Sequence, residues 1–329
     1  MRRELAAWAA FLVLVAALPL SGIGSDRYLM LLANVMLMFM ALALSWDVVA
    51  RTGQLSLAHG AFFGLGAYTV ALGHKYAALH PLLGLPLAAL AGALVALALG
   101  IVTLRLRGIY FAIATLAFAE VLRTVALQLP DLTGGPVGIS MPPLFDGDRV
   151  ASYYLAIAIF VAALALSLGV RHSRAHYAVT AIRANETVAA VMGVNVVRTK
   201  VLTFTASAVV ATLAGAFYMP FITHTDPHDA FDISRSVAAL VFPIFGGLYT
   251  TAGPVLGTVV LRAFEEYLRV TPPWKEGYQV VYGAVIVIAV LFIPRGVLGL
   301  VQRYAPRAGA LLGRRPRGSV PGTPSGPRS

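Results

Sequence analysis

Glu120 and Arg123 stand three apart in an otherwise apolar stretch, a spacing that puts them on one helix face and within reach of each other. A carboxylate in mid-membrane costs on the order of 2.5–3.5 kcal/mol on insertion scales, so such a pair should face protein or a watery cavity. Two readings are open: a translocation path that recognises a zwitterion, or a structural ion pair clamping two helices. A third use of the same residue would make Glu120 a proton carrier. Gln54, Ser56 and His59 form a second polar group, set among Gly53, Gly60, Gly64 and Gly66. They are either contacts along a path or polar positions in a helix whose small residues let neighbours approach closely. Asp47 and Arg51, four apart, are expected to pair at the membrane interface.

The third concentration of chemistry is residues 174–195, a charged patch between long apolar segments. Read as a helix, it places Ala178, Ala181, Ile182, Val188, Ala189 and Met192 close to one face, and Thr180, Arg183 and Thr187 on another. Gly193 supplies a helix stop. A polar helix at this place sits at the membrane surface. It either lies on the headgroups or passes force from a soluble motor into the membrane core.

The elements that position these residues must be membrane helices. The chain has 329 residues, 59% hydrophobic and 12% charged, against about a quarter charged in soluble domains. Its net charge of +11 comes from basic residues scattered in short loops and a tail. These form no patch interleaved with exposed aromatics, so membrane orientation explains them and nucleic acid does not. Cysteine is absent and the seven histidines are spread over the chain, so neither disulfides nor a metal centre is expected.

A span needs roughly 20 apolar residues to cross a core of about 30 Å. Ten crossings are expected, at 5–20, 28–50, 54–73, 82–104, 108–127, 152–170, 200–222, 236–250, 254–270 and 278–293. The basic start and apolar core of the first resemble a signal peptide without a good cleavage site, so it reads as an uncleaved helix. The third, eighth and ninth are interrupted or short, which makes broken or re-entrant helices real alternatives there. The fold class is therefore an all-α polytopic membrane protein. With both termini in the cytoplasm, most of the 25 lysines and arginines fall inside, while Asp131, Asp146, Asp148, Asp226, Asp229 and Asp232 fall outside. Residues 1–300 form the transmembrane domain, and 301–329, rich in Pro, Gly, Ser and Arg, form a disordered cytoplasmic tail. Thr133-Gly134-Gly135-Pro136 lies in an outer loop and is not followed by Gly-Lys-Ser/Thr; no Walker A sequence occurs anywhere. Any ATP-driven motor must be a separate subunit, no cofactor is expected in this one, and no nucleophile or zinc-protease motif argues for an enzyme.

Several ordered motifs resemble one family from about residue 30 to 300. Gly53-Gln54-Leu-Ser56-Leu-Ala-His59-Gly60 through Tyr68, Leu104-Arg105-Leu-Arg107-Gly108-Ile-Tyr110-Phe111, Leu132-Thr133-Gly134-Gly135, Ala181-Ile182-Arg183-Ala184-Asn185-Glu186, Gly246-Gly247 to Gly253-Pro254, and Pro294-Arg295-Gly296 are similar to blocks of branched-chain amino-acid ABC transporter permeases. The Arg-Leu-Arg-Gly-x-Tyr-Phe block points to the M-type of the two homologous permeases of each transporter. The resemblance implies a multi-pass protein of the bacterial inner membrane that works with an H-type permease, two ABC ATPases and a periplasmic amino-acid-binding protein. ATP would be bound by the partners. It implies that Ala181, Ile182, Arg183, Asn185 and Glu186, with the stop at Gly193, form the coupling segment, and that Gly134, Gly135, Gly246, Gly247 and Gly253 serve gating or packing. His176, Tyr177, Thr180 and Ala184 depart from the family pattern, which bears on how the ATPase docks, and Arg51 replaces a frequent tyrosine. Urea and short-amide permeases share much of this pattern and form the alternative within the class.

Overall fold

A computed structural model describes residues 2–103, 105–106, 108–271, 277–292 and 296–299. Five of its helices are long and apolar enough to cross a membrane: α2 (Arg27–Ala50), α4 (Pro81–Thr103), α5 (Ile109–Gln128), α7 (Arg149–His172) and α10 (Val196–Ile222). The other expected crossings are helical but shorter or more polar: α1 (Arg2–Ala17), α3 (His59–Ala77), α12 (Ile233–Gly246), α13 (Ala252–Val270) and α14 (Tyr278–Phe292). The 14 residues of α12 rise about 21 Å, less than the hydrocarbon thickness. Four short helices lie between them: α6 (Pro130–Thr133), α8 (Ala175–Ala184), α9 (Glu186–Val191) and α11 (Pro227–Ala230). An antiparallel pair of two-residue strands, β1 (Ile139–Ser140) and β2 (His224–Thr225), ties two loops together. The tail at 301–329 lies outside the described residues.

The helix starts follow from local chemistry. Asp26 accepts hydrogen bonds from the backbone of Tyr28 and Leu29 at the head of α2. Asp148 does the same for Val150 and Ala151 at the head of α7, Asp226 for α11, and Asp232 for α12. Three of the aspartates that charge bias assigns to outer loops therefore satisfy backbone N–H groups that a helix start leaves without partners.

Lipid is as apolar as leucine, so close packing rather than hydrophobic exclusion must hold such helices together. The long α10 runs through the centre, packed on α2, α3, α4 and α7, and α2 lies along α7, α12 and α13. Between α3 and α10 the approach is backbone to backbone: a Cβ at Gly66 would overlap the Thr212 carbonyl, and one at Gly215 the Phe63 carbonyl. Phe63, Phe160 and Phe217 fill one core cluster, and Trp46, Phe62, Phe111 and Phe204 another.

The third expected crossing begins later than its sequence suggests. Residues 51–58 are not helical, and Gly53 turns the chain with φ +81°. Most of this segment is buried in protein, with Gly53 and Leu55 reaching the surface, and neighbouring elements hold it by hydrogen bonds. Trp46 Nε1 donates to Ser56 O at 2.7 Å, Leu57 N donates to Thr115 Oγ1 at 2.9 Å, and Ser236 Oγ donates to Leu57 O at 2.8 Å. Irregular backbone within the bundle is tolerated because other helices supply its hydrogen bonds.

Candidate functional site

At the end of the bundle where α2 stops, a buried polar hub joins three segments: the end of α2, α7 and the turn between α12 and α13. Asp47 Oδ2 accepts from Arg51 Nε at 2.9 Å, and the two side chains are 0% and 4% exposed. Arg51 Nη1 donates to Ser167 O and Nη2 to Ser167 Oγ on α7, at 2.9 and 2.7 Å. Ser167 Oγ lies 3.1 Å from Thr251 Oγ1, and Tyr249 N donates to Asp47 Oδ1 at 2.7 Å. The expected pair therefore forms and is sealed within protein, where the hub hydrogen-bonds both charges. This also accounts for an arginine at position 51: α7 offers it two acceptors. Gly246 packs so closely on α13 that a Cβ would overlap the Gly253 carbonyl oxygen, and Gly296 lies against the backbone of Gly247. The glycines at 246, 247 and 253 hold this turn in place.

The segment 174–195 rests on the same end, with a correction to its form. It is not one helix: Asn185, with ψ 114°, breaks it and its Oδ1 accepts from Thr187 N and Val188 N to start α9. Gly193, at φ +86°, follows the last turn. The buried face is Val179, Ile182 and Ala189, whereas Val188 and Met192, expected on it, are 53% and 76% exposed because the break at Asn185 reorients α9. Ala181 is half-buried and Asn185 exposed. Arg183 leaves α8 sideways, its guanidinium 3.8 Å from the centre of the Tyr249 ring, with Gly53 against its backbone. Glu186 pairs with the buried Lys200 of α10. α8–α9 is thus clipped to the 247–251 turn by Arg183 and to α10 by Glu186, leaving Tyr177, Val188, Val191 and Met192 facing outward. Of the positions that depart from the family pattern, Tyr177 is on this outward surface and His176 stacks edge-on against it.

The remaining candidates are not gathered here. His59 is buried inside the bundle, its Nε2 2.9 Å from Ser207 Oγ, and Ser207 Oγ donates to Ser45 O. Gln54 and Ser56 are also buried, and Ser56 Oγ accepts from Ala58 N at 3.2 Å. Two buried polar atoms of this group, Gln54 Nε2 and His59 Nδ1, have no partner. Glu120 and Arg123 form their ion pair, with Arg123 Nε 3.0 Å from Glu120 Oε2, but on the outer surface of α5: the Glu120 side chain is 58% exposed. Arg123 Nη1 also lies 2.9 Å from His228 Nδ1 on α11. Gly134 and Gly135, at φ +78° and +54°, turn the loop after α6 at this opposite end. The histidine pairs His172/His176 and His224/His228 sit four apart but do not converge: His172 reaches Glu4, His224 reaches Ser140 and His228 reaches Arg123. Among the described residues no group of three His, Asp or Glu side chains is arranged to hold a metal ion.

Tyr249, Thr251, Ser167 and Lys200 were not singled out by sequence. Their roles depend on partners far along the chain; the one local signal was the break that Gly246-Gly247 and Gly253-Pro254 impose around Tyr249.

Residues 28–290 match the family model described as branched-chain amino acid transport system / permease component. The chain belongs to this family. It is 30% identical over 302 residues to the high-affinity branched-chain amino acid transport system permease protein LivM of Salmonella typhimurium, covering 82% of this chain and 70% of the relative. It is 30% identical over 324 residues to LivM of Escherichia coli K12, covering 89% and 74%. The corresponding permease LivH of Escherichia coli K12 matches at 28% over 181 residues, about half of this chain and 58% of the relative. No solved structure matches. The family's members are permease components, and the matched segment takes in the five long apolar helices, the hub and the α8–α9 clip.

Proposed function

We propose that this chain is the M-type membrane subunit of an ATP-driven importer of branched-chain amino acids, seated in the bacterial inner membrane. It crosses ten times, both termini lie in the cytoplasm, and it binds no cofactor itself. An H-type permease completes the conduit, two ABC ATPases bind and hydrolyse ATP, and a periplasmic binding protein delivers substrate. The observation that carries the reading, beyond family membership, is the clip: Arg183 on Tyr249 and Glu186 on Lys200 join a surface helix pair to the interior hub. The outward apolar residues of α8–α9 are where an ATPase docks. Closure of the ATPases on ATP pulls this pair, and Tyr249 passes the displacement to the α12–α13 turn and, through Asp47, to α2 and α7.

Glu120 and Arg123 support the partner permease. A charged pair facing lipid is costly, yet it sits on the surface of α5 beside exposed Val121 and Val125. That face therefore meets the H-type subunit or the aqueous path between the two. Because Glu120 is already ion-paired and exposed, it is a poor proton carrier, and family membership favours ATP as the energy source. Co-expression tests the assembly: affinity capture of this chain should retain the H-type permease and both ATPases, and recovery of the chain alone from intact membranes would refute it.

A further inference from the structure

At the end of the bundle opposite the α8–α9 clip, two cavities of about 290 and 380 Å³ meet around one group of side chains. Phe39, Ser234, Arg235, Arg262 and Glu265 line both. The first cavity is charged, with Asp229, Asp232, Glu265 and Glu266 opposed by Arg235, Arg262 and Arg269. Four carboxylates against three guanidiniums leave it close to neutral, so it suits a molecule carrying both charges better than a net anion or cation. The second cavity is walled by Val237, Ala238, Val241, Phe242, Tyr282 and Ile286, a hydrocarbon pocket directly beside the charges.

Arg262 is the hinge of this arrangement. Its guanidinium lies 4.3 Å from the centre of the Phe39 ring, and Nη1 donates to Glu265 Oε2 at 2.7 Å. Its Nε is buried without an acceptor, an unsatisfied charged donor that costs free energy as it stands. Arg235, by contrast, is committed to Asp229 through Nε and Nη2 and stacks on Phe63 and Tyr218. Glu265 accepts from Arg262 through one oxygen, and Glu266 holds Tyr28 and Arg269. A ligand carboxylate or phosphate would complete Arg262, a geometry guanidinium groups favour, while its ammonium meets Glu265. These volumes lie at the small end of ligand sites, so a compact molecule fits.

We propose that this crevice binds a small zwitterion with an attached hydrocarbon, its anionic group on Arg262, its ammonium on Glu265 and its hydrocarbon against Ala238 and Val241. That chemistry has two sources: a free apolar α-amino acid, or the headgroup and first chain carbons of an ethanolamine phospholipid. The inference rests on the importer reading only for the first. The test uses the complete purified complex without its binding protein. Equilibrium binding of radiolabelled L-leucine is measured beside native mass spectrometry of retained phosphatidylethanolamine, for wild type, Arg262→Met and Ala238→Phe. An amino-acid site predicts saturable leucine binding, displaced by isoleucine but not by isoamylamine or 4-methylpentanoate, and weakened at least tenfold in both variants. A lipid site predicts no such leucine binding but phosphatidylethanolamine retained by wild type and lost from both variants. Ala238→Phe fills the apolar cavity without touching a charge, so it decides the matter if Arg262→Met fails to fold. Retention of both probes by both variants, or of neither by wild type, overturns the site. ATP-dependent leucine uptake by wild type is scored separately, so loss of the site and loss of the importer reading are distinguishable.

Discussion

Asp47 and Arg51 show how one substitution reorganises an argument about charge. Each is nearly sealed from solvent, and each has partners beyond the other: Tyr249 N for Asp47, and both oxygens of Ser167 for Arg51. Removing one member of a buried pair leaves the other uncompensated, typically 3–5 kcal/mol, whereas removing both together is far cheaper. Asp47→Leu should therefore lower the thermal unfolding midpoint in detergent much more than Asp47→Leu/Arg51→Met; a double variant as damaged as the single would show that the pair is not the source of the loss. Glu120→Gln should behave differently. Glu120 is exposed, and Arg123 keeps His228 when the carboxylate is gone, so expression and unfolding midpoint should stay close to wild type. The i, i+4 spacing made the Asp47–Arg51 contact legible. Its burial was not, because Ser167 lies 116 residues away and Tyr249 lies 202 residues from Asp47, and no local pattern encodes such distances.

The helix pair α8–α9 acts as an element rather than as a set of contacts. Its amphipathic pattern and the stop at Gly193 are plain in the sequence, and so, in retrospect, is the break: Asn185 followed by Glu186 and Thr187 is a helix-start signal that the apolar periodicity on either side conceals. The clip makes a quantitative demand. Tyr249→Ala removes the face on which Arg183 rests and leaves the hub's backbone bond to Asp47 possible, so the complex should assemble and hydrolyse ATP while uptake per ATP falls roughly tenfold, about 1.4 kcal/mol of coupling. An unchanged ratio of uptake to hydrolysis would remove Tyr249 from the transmission path. Glu186→Lys faces the buried Lys200 with a like charge and should prevent stable assembly. Glu186→Lys/Lys200→Glu should restore part of it, read by size-exclusion yield of the complex, and no recovery in the exchange variant would mean the ion pair is not what seats α9.

At the scale of the whole molecule, the membrane class and the family motifs were legible because hydrophobic runs and glycine spacings are local properties. The number of crossings was less so. α12 is too short to span alone, α13 carries Arg262, Glu265, Glu266 and Arg269, and the non-helical 51–58 segment takes in residues 54–58, which hydropathy assigns to a helix. Cysteines placed at Ser140 and Ser173 in this cysteine-free chain should label from opposite sides of the membrane; labelling of both from outside intact cells would break the ten-span arrangement. The central claim, ATP-driven import of branched-chain amino acids, is tested most directly by leucine uptake into proteoliposomes holding the complete complex. ATP is enclosed, the binding protein is supplied on the other side, and the proton gradient is collapsed with an uncoupler. The account predicts saturable leucine uptake that requires ATP and is indifferent to the uncoupler. Uptake that vanishes with the gradient and persists without ATP, or transport of urea in place of leucine, would contradict it.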